Sequence, residues 1–579
     1  MRSLNLPDIE FDDIIMRLGE DETHVFATAS ATVDGWGNTL SWNPAVVFSP
    51  EIDDIDVVVS QLEDFVNSQN SLGRLVAGYE TYDFGCLLKG ITPSKVDGLG
   101  MPLVFAASFS SWIAFDDRGA TVHYDDSSFV SEVKEIIKRS RRPIPVKTYK
   151  KVLSPVQSRA WYNQAYSRIK DYIKQGDIYQ VNLTHQLVGS TSLSGRDLFC
   201  LLHQTSKADF QSYVEVDGSE IMSFSPERFV KIKDRLIITS PIKGTRARGA
   251  TVQEDETLRS DLLNSPKERA ELNMITDLLR NDLGEICEVG SVDVVQQRTL
   301  KAYSTLWHAH STIKGTLRPG ISSIGALTSL MPGGSITGCP KKRAIEIIDE
   351  LEATQRGIYT GSIFVVKPDG TLDSNIAIRT MVKSGERLYL SVGGGIVNDS
   401  IQKDEYRESI DKAVSFMNAV TTTSDLSSDV LERQFGLTTV DILHQDGKSR
   451  AIRTKVTVSG QVLELSMVEF IKFGVNKFPD VHLDVLSGQS MGKAFKARGI
   501  KFTRKIESSY RYALPDSLNR QFGSSKPAWV MNVSILVGPD RTPYARILET
   551  YSPEVKWTDL GGRPTDEELK KLQGLSKFL

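Results

Sequence analysis

Lys243 lies in Pro241-Ile242-Lys243-Gly244-Thr245, with an apolar residue on one side and a glycine on the other. An apolar wall and a close approach for a ligand are the surroundings a reactive amine needs, so Lys243 reads as a nucleophile. The same context also suits a strand-end lysine that faces water. Two carboxylate pairs share one spacing, Glu268 with Glu271 and Glu405 with Glu408. Residues three apart share a helix face, so two such helices offer four hard oxygen donors to a divalent cation, and magnesium matches them best. Ion pairs with arginine are the competing use of the same carboxylates. Arg379, in Ile378-Arg379-Thr380, is either a two-pronged clamp for a carboxylate or an ordinary surface arginine. Two glycine-rich stretches, 331–341 and 391–396, have backbone N–H groups able to hold carboxylate or phosphate, although most such loops only turn the chain. The first runs into a helix expected over 342–351, whose positive end attracts an anion.

These residues need elements to carry them. From residue 158 the pattern is helical, with Trp161, Ala165, Ile169 and Ile173 on one face and Gly176 as the stop. A strand over 176–184 follows, on which Gln180 and Asn182 point the same way. A β run over 221–230 contains Ser225-Pro226-Glu227-Arg228-Phe229 and leads to the Lys243 stretch. A helix is expected over 264–284, capped by Asn264 or Ser265, with Pro266 in its first turn and Gly284 at its end. On it Leu272, Ile275, Leu278 and Leu279 fall within about 120° of arc, and Glu268 and Glu271 fall inside that arc. A second acidic helix, 401–420, has Ile410, Ala413, Phe416, Met417 and Val420 as its apolar face, bordered by Glu405, Glu408 and Lys412.

The first 145 residues mix β-rich runs (25–33, 44–48, 55–59, 102–115) with turn signals, which reads as α+β with an antiparallel sheet. The basic stretch 134–147 has no interleaved aromatics and reads as an exposed connector rather than a nucleic-acid patch. A linker is expected at 421–429. The segment 430–579 that follows reads as a small antiparallel α+β domain, with strands at 455–465, 529–537 and 544–551, an amphipathic stretch at 491–497 and a terminal helix at 565–579.

The chain has 579 residues, enough for two or more domains, and its 69 Lys and Arg against 73 Asp and Glu give a formal charge of −4. No bulk field therefore favours nucleic acid or an anionic membrane. Residues 1–19 have no apolar leader core and no later run reaches the length of a membrane span, so a cytoplasmic protein is expected. Cys86, Cys200, Cys287 and Cys339 show neither Cys-x-x-Cys pairing nor zinc spacing, which fits free thiols.

Seven stretches in one order, 176–183, 225–229, 241–245, 271–282, 332–338, 393–397 and 405–408, together resemble the chorismate-utilising enzymes. The resemblance implies a fold like that of anthranilate synthase component I, a large antiparallel β-sheet sandwich flanked by helices, with 1–150 as its N-terminal part and 151–420 as its chorismate-binding region. Lysine at position 243 is similar to aminodeoxychorismate synthases, whereas anthranilate synthases usually carry alanine there. The resemblance implies Glu271 and Glu408 as magnesium ligands with Glu268 and Glu405 in support. It implies Arg379, Thr337, Gly395 and Lys412 as holders of the two substrate carboxylates, Glu227 as general acid, and His308 and Tyr359 beside the ring. In the implied mechanism Lys243 adds to the ring as the hydroxyl leaves with a proton from Glu227, and ammonia then displaces the lysine with the enolpyruvyl group retained. The chain has no Gly-x-Cys-x-Gly elbow, so ammonia is expected from a separate glutamine amidotransferase subunit. Anthranilate, isochorismate or salicylate synthesis, or a catalytically silent regulatory subunit, are the alternatives. The segments 486–491 and 528–533 are faintly similar to chorismate lyase, but Met531 stands where that enzyme's substrate-binding arginine is expected. This implies an interaction or stabilising module rather than a second enzyme.

Overall fold

A computed structural model describes residues 1–19, 21–30, 36–95, 98–141, 149–206, 208–249, 251–302, 306–413 and 416–417, together with five strands between 453 and 551. Residues Met1–Thr421 form one compact unit and Thr422–Leu579 another.

The first unit is built on two antiparallel sheets, one of 12 and one of 10 strands. One buried cluster draws Phe26, Trp112, Phe210, Val214 and Val382 from the first sheet and Leu75, Tyr79, Phe105, Phe109 and Ile363 from the second, so the sheets form a sandwich with its core between them. Strands from the first part of the unit fill one end of each sheet and later strands the other, joined at one pairing in each: Phe26–Ala29 with Phe210–Val216, and Leu75–Glu80 with Ser362–Val366. Both sheets therefore draw strands from before and after residue 150. Helices lie on the outer sides. Arg159–Gln175 packs on strand Gln180–Thr191, Gln402–Asp411 on strand Arg387–Ile396, and Pro266–Ile286 on strands Ile242–Ala247 and Leu306–Thr316.

Several local expectations are corrected. Residues 55–59, expected as a strand, open the helix Ile55–Ser71: Asp54 accepts the N–H groups of Asp56 and Val57, and Val58, Leu62 and Val66 repeat every fourth residue as its buried stripe. The helix Arg159–Gln175 is capped by Ser158 and ends at Gly176 with φ 85°, but buries Tyr162, Ala165, Tyr166, Ile169 and Tyr172 rather than Trp161 and Ile173. The Tyr172 hydroxyl reaches Glu350 and that of Tyr166 the Ser400 carbonyl, so these rings are buried with their polar ends satisfied. Pro266–Ile286 starts at the expected cap, Ser265, but runs past Gly284. A glycine inside a helix costs only about 1 kcal/mol, and Leu283 and Ile286 continue the buried face. The second acidic helix is regular over Gln402–Asp411, with Ala413, Phe416 and Met417 buried beyond it; Val420 lies outside the described residues. Lys134 and Lys138 belong to helix Ser127–Lys138 rather than to a connector, and 142–148 lie outside the described residues.

In the second unit the expected strand 455–465 is a hairpin of Arg453–Val458 and Gln461–Ser466. Strands Ala528–Val537 and Pro543–Tyr551 pair as expected, and Arg504–Ala513, which the pattern did not reveal, adds a third. The linker, 491–497 and 565–579 lie outside the described residues. Among the described residues no helix is long and apolar enough to cross a membrane. All four cysteines are free thiols, three buried and Cys339 partly exposed.

Candidate active site

Glu227 and Arg379 sit where the chain crosses between the two sheets. Strand Ser219–Ser225 belongs to the larger sheet and Arg228–Lys233 to the smaller, with Glu227 between them; Arg379 lies between Leu372–Ile376 of the smaller sheet and Thr380–Ser384 of the larger. The crossings are bonded side by side, since Ile376 donates to the Glu227 carbonyl at 3.1 Å and Phe224 to the Arg379 carbonyl at 3.0 Å. Arg379 takes a left-handed backbone, φ 51°, a conformation uncommon for a residue with a side chain. Its half-buried guanidinium pairs with no carboxylate among the described residues, and burial alone lowers its pKa. A cation so kept calls for an anionic ligand.

The buried Glu227 carboxyl accepts a hydrogen bond from Ser335 Oγ at 2.7 Å. Burial raises its pKa, while the Ser335 bond and the charge of Lys243 pull it down. Lys243 is therefore within electrostatic reach of the acid. It lies at a register break in the pairing of Ile242–Ala247 with Leu306–Thr316, and a bulge at that point turns its side chain out of the regular alternation. Gly244 has φ 87°, and a Cβ there would lie 2.8 Å from both Glu268 Oε2 and Leu262 Cδ1, so the glycine is required. His308 is buried and bonds the Gly244 backbone; burial and the Arg379 charge push its pKa down to about 4, so the ring is neutral at pH 7. Lys243, Glu227, His308 and Arg379 are thus brought to one place. Arg246 and Arg248, on the strand of Lys243 and just past it, are tied to Asp261 and Glu268 and to Asp255.

Opposite Glu227's loop runs an amide wall. Gln180 and Asn182 are both buried on strand Gln180–Thr191, and Asn182 faces Gly395 in register. A Cβ at Gly395 would lie 2.7 Å from Gln180 Nε2 and 3.0 Å from Asn182 Oδ1, so only glycine lets the amides lie across that strand. Gln180 Oε1 is buried without a hydrogen-bond partner among the described residues, a polar atom aimed at nothing in the protein. Thr337 is fully buried and its hydroxyl donates to the Gly333 and Gly334 carbonyls at 2.9 and 3.3 Å, which folds its own loop. Tyr359 is buried in the turn after helix Lys341–Leu351, and burial raises its pKa. That helix begins with Lys341 paired to Asp282 at 2.6 Å rather than with a visible anion seat.

The carboxylate pairs are separated. A Cβ at Gly394 would lie 3.5 Å from Lys412 Nζ, 3.8 Å from Glu405 Oε2 and 3.9 Å from Glu408 Oε1, so these groups converge over bare backbone. Glu405 accepts from Ser400 Oγ at 2.7 Å; Glu408 pairs with Lys412 at 2.9 Å, and Lys412 also donates to the Gly393 carbonyl at 2.9 Å. Glu268 pairs with Arg246 at 3.3 Å. Glu271 is half-buried on the same helix, facing the side that buries Leu272 and Ile275. The donors fit magnesium in kind, since all are carboxylates and two share the Gly394 cradle. Among the described residues, however, no three acidic, histidine or cysteine side chains are grouped closely enough to hold one ion.

The chorismate binding enzyme family matches residues 24–418. The chain belongs to that family. Relatives include an anthranilate synthase component 1 of Haloarcula marismortui, 44% identical over 253 residues that make 44% of this chain and 50% of the relative. An aminodeoxychorismate synthase component 1 of Bacillus subtilis is 33% identical over 361 residues, 59% of this chain and 76% of the relative. The chain thus spans half the length of the haloarchaeal relative. Among solved structures, anthranilate synthase component I from Streptococcus pneumoniae has TM-score 0.58 and 26% identity over 69% of this chain and 94% of its own. A menaquinone-specific isochorismate synthase from Escherichia coli, at 16% identity and TM-score 0.58 over 72% of this chain and 94% of its own, shares the fold. These likenesses agree with the sandwich expected from the sequence.

Two features of the candidate site are not read from sequence. Ser335 sat inside a glycine loop that drew attention for its backbone, not its hydroxyl. Glu352 and Arg356 lie outside every motif, and their importance comes from burial, which a polar pair after a helix end does not announce.

Proposed function

We propose that this chain aminates chorismate to 4-amino-4-deoxychorismate. The observation that carries the reading is the charge of Lys243 acting on the buried acid Glu227, with Arg379, which pairs with no carboxylate among the described residues, on the adjoining crossing. The Lys243 amine forms a bond to a carbon of the ring diene, the π electrons shift, and the ring C–O bond breaks; the hydroxyl takes the Glu227 proton and leaves as water. Ammonia then bonds to the vacated carbon, the π electrons shift back, the bond to Lys243 breaks, and a proton shed by the new amine restores Glu227. The net change is chorismate plus ammonia to aminated product plus water. Arg379 would pair with a substrate carboxylate, with Lys412, Gly395 and Thr337 around the other, and neutral His308 and Tyr359 would border the ring. Magnesium held by Glu271 and Glu408, with Glu268 and Glu405 beside them, would offset the charge of the ring carboxylate. Ammonia would come from a separate glutamine amidotransferase.

The 44% identity to an anthranilate synthase component favours a second reading, anthranilate formation with release of pyruvate. Incubating the purified chain with chorismate, ammonium and magnesium, and separating the products, decides between them. The amination reading expects 4-amino-4-deoxychorismate without pyruvate; anthranilate with pyruvate would refute it. Glutamine in place of ammonium should support turnover only when an amidotransferase is added, and chelation by EDTA should stop it.

A further inference from the structure

Arg356 lies outside the motifs and touches none of the reacting groups, and its side chain is 2% exposed. A guanidinium has five N–H donors. Here five hydrogen bonds engage it: Nε to Glu352 Oε2 at 2.9 Å, Nη1 to the Ile336 carbonyl at 3.0 Å and Thr360 Oγ1 at 3.3 Å, Nη2 to the Asn182 carbonyl at 3.1 Å and Glu352 Oε1 at 2.7 Å. Glu352 Oε1 also accepts the Thr184 N–H at 2.9 Å, and the Tyr82 ring lies 4.5 Å from the guanidinium carbon. One side chain therefore ties the amide wall, the loop of residues 334–338 and the turn that carries Tyr359. Ile336, whose carbonyl it grips, follows directly on Ser335, the donor to Glu227.

We propose that Arg356 is a positioning residue for the general acid: it fixes the 334–338 loop so that Ser335 donates to Glu227 Oε1 and leaves Oε2 to carry the transferable proton. This rests on Glu227 acting as the acid, as argued above. The Asn182 strand is the fixed side of the arrangement, since Asn182 N–H also donates to the Thr337 carbonyl at 2.8 Å. A hydrogen bond donated to a carboxylate favours its ionised form, so Ser335 restrains the rise that burial imposes on Glu227. The titratable groups facing the two residues are Lys243 at Glu227, and Glu352, Tyr82 and Tyr359 at Arg356. An acid acts while protonated. If the Ser335 contact is lost, Glu227 titrates at higher pH and the alkaline limb of activity moves up with it.

The test is a 13C-carboxyl NMR titration of Glu227, its signal assigned by its loss in Glu227→Gln, alongside the pH profile of chorismate consumption. Ser335→Ala and Arg356→Lys should each raise the Glu227 titration by about one pH unit. The double variant should move it no further than Ser335→Ala, because both changes act through one contact. Circular dichroism checks that each variant folds. Should Arg356→Lys fail to fold, Glu352→Gln, which loosens the fork while keeping a buried amide, takes its place with a smaller shift in the same direction. An unmoved Glu227 titration in the folded variant, or a shift that adds to that of Ser335→Ala, overturns the proposal. The NMR arm needs no turnover, so an anthranilate product would sink the amination reading and leave this result to stand by itself.

Discussion

The strand that carries Lys243 and the loop that carries Ser335 act on the same carboxyl group, one by charge and the other by a hydrogen bond, and they are anchored by different means. The lysine strand, Ile242–Ala247, ends the smaller sheet and, among the described strands, pairs only with Leu306–Thr316. Partly exposed ion pairs hold it: Arg246 is 28% exposed and its partner Asp261 63%. Pairs of that kind contribute about 0–1 kcal/mol each. The loop wall is held by Arg356 and Glu352, 2% and 5% exposed, and removing one partner of such a buried pair costs about 3–5 kcal/mol. The difference suits the work proposed for each side. A nucleophile that bonds to the ring and is then displaced gains from give in its support, whereas an acid must meet one leaving oxygen at one distance.

The comparison can be broken in several places. The largest effect is expected from Lys243→Ala, which should lower aminodeoxychorismate formation by more than about 10³-fold and leave at most anthranilate-like chemistry; unchanged product formation would remove the covalent route. Glu227→Gln keeps the shape but not the proton, and chorismate consumption should fall by about 10²–10⁴-fold. In denaturation experiments Arg356→Ala should cost about 3–5 kcal/mol and Arg246→Ala less than about 1 kcal/mol. Equal losses would mean that the two walls are anchored alike. Acid should weaken the fold through two buried histidines, His308 with a pKa of about 4 and His185 of about 3, both lowered chiefly by burial. Each has a folded pKa below its unfolded value near 6.5. Their contribution is therefore whole above pH 6.5 and lost as the pH falls toward those values, and His185→Phe should flatten the loss in melting temperature between pH 6.5 and 4. The smallest effect is expected from Gly244→Ala: a few degrees in melting temperature from the strained φ and the Glu268 contact, with a larger fall in turnover as Lys243 is re-aimed.

Much of the reacting half of the site was legible because its residues sit in stretches whose type and order are unusual: a lysine before a glycine, an acid after a proline, an arginine between two strands. The helix Pro266–Ile286 was legible from its cap and its stripe. The failures share a cause, which is that local pattern is silent about what arrives from far along the chain. Residues 55–59 look like a strand until the apolar spacing is followed to Val66. On the helix Arg159–Gln175 the expected face holds at Ala165 and Ile169 but turns toward Tyr162, Tyr166 and Tyr172, because tyrosines count as half-polar although Glu350 and Ser400 wait for two of their hydroxyls. The role of Arg356 was invisible because, beyond the local Glu352 and Thr360, its acceptors are the Asn182 and Ile336 carbonyls, which only the fold brings to it.

The joining of early to late strands in the two sheets also sets the order of events at birth. Strand Leu75–Glu80 has one edge covered soon after synthesis, when Val104–Phe109 follows it, while its other neighbour, Ser362–Val366, is still untranslated. At about 5–20 residues per second that edge stays open for on the order of tens of seconds. The smaller sheet is complete only with Leu372–Ile376 and the larger only with Arg387–Ile396, on the two sides of the crossing that carries Arg379, so the nascent protein acquires its sandwich and its candidate site in the same late step.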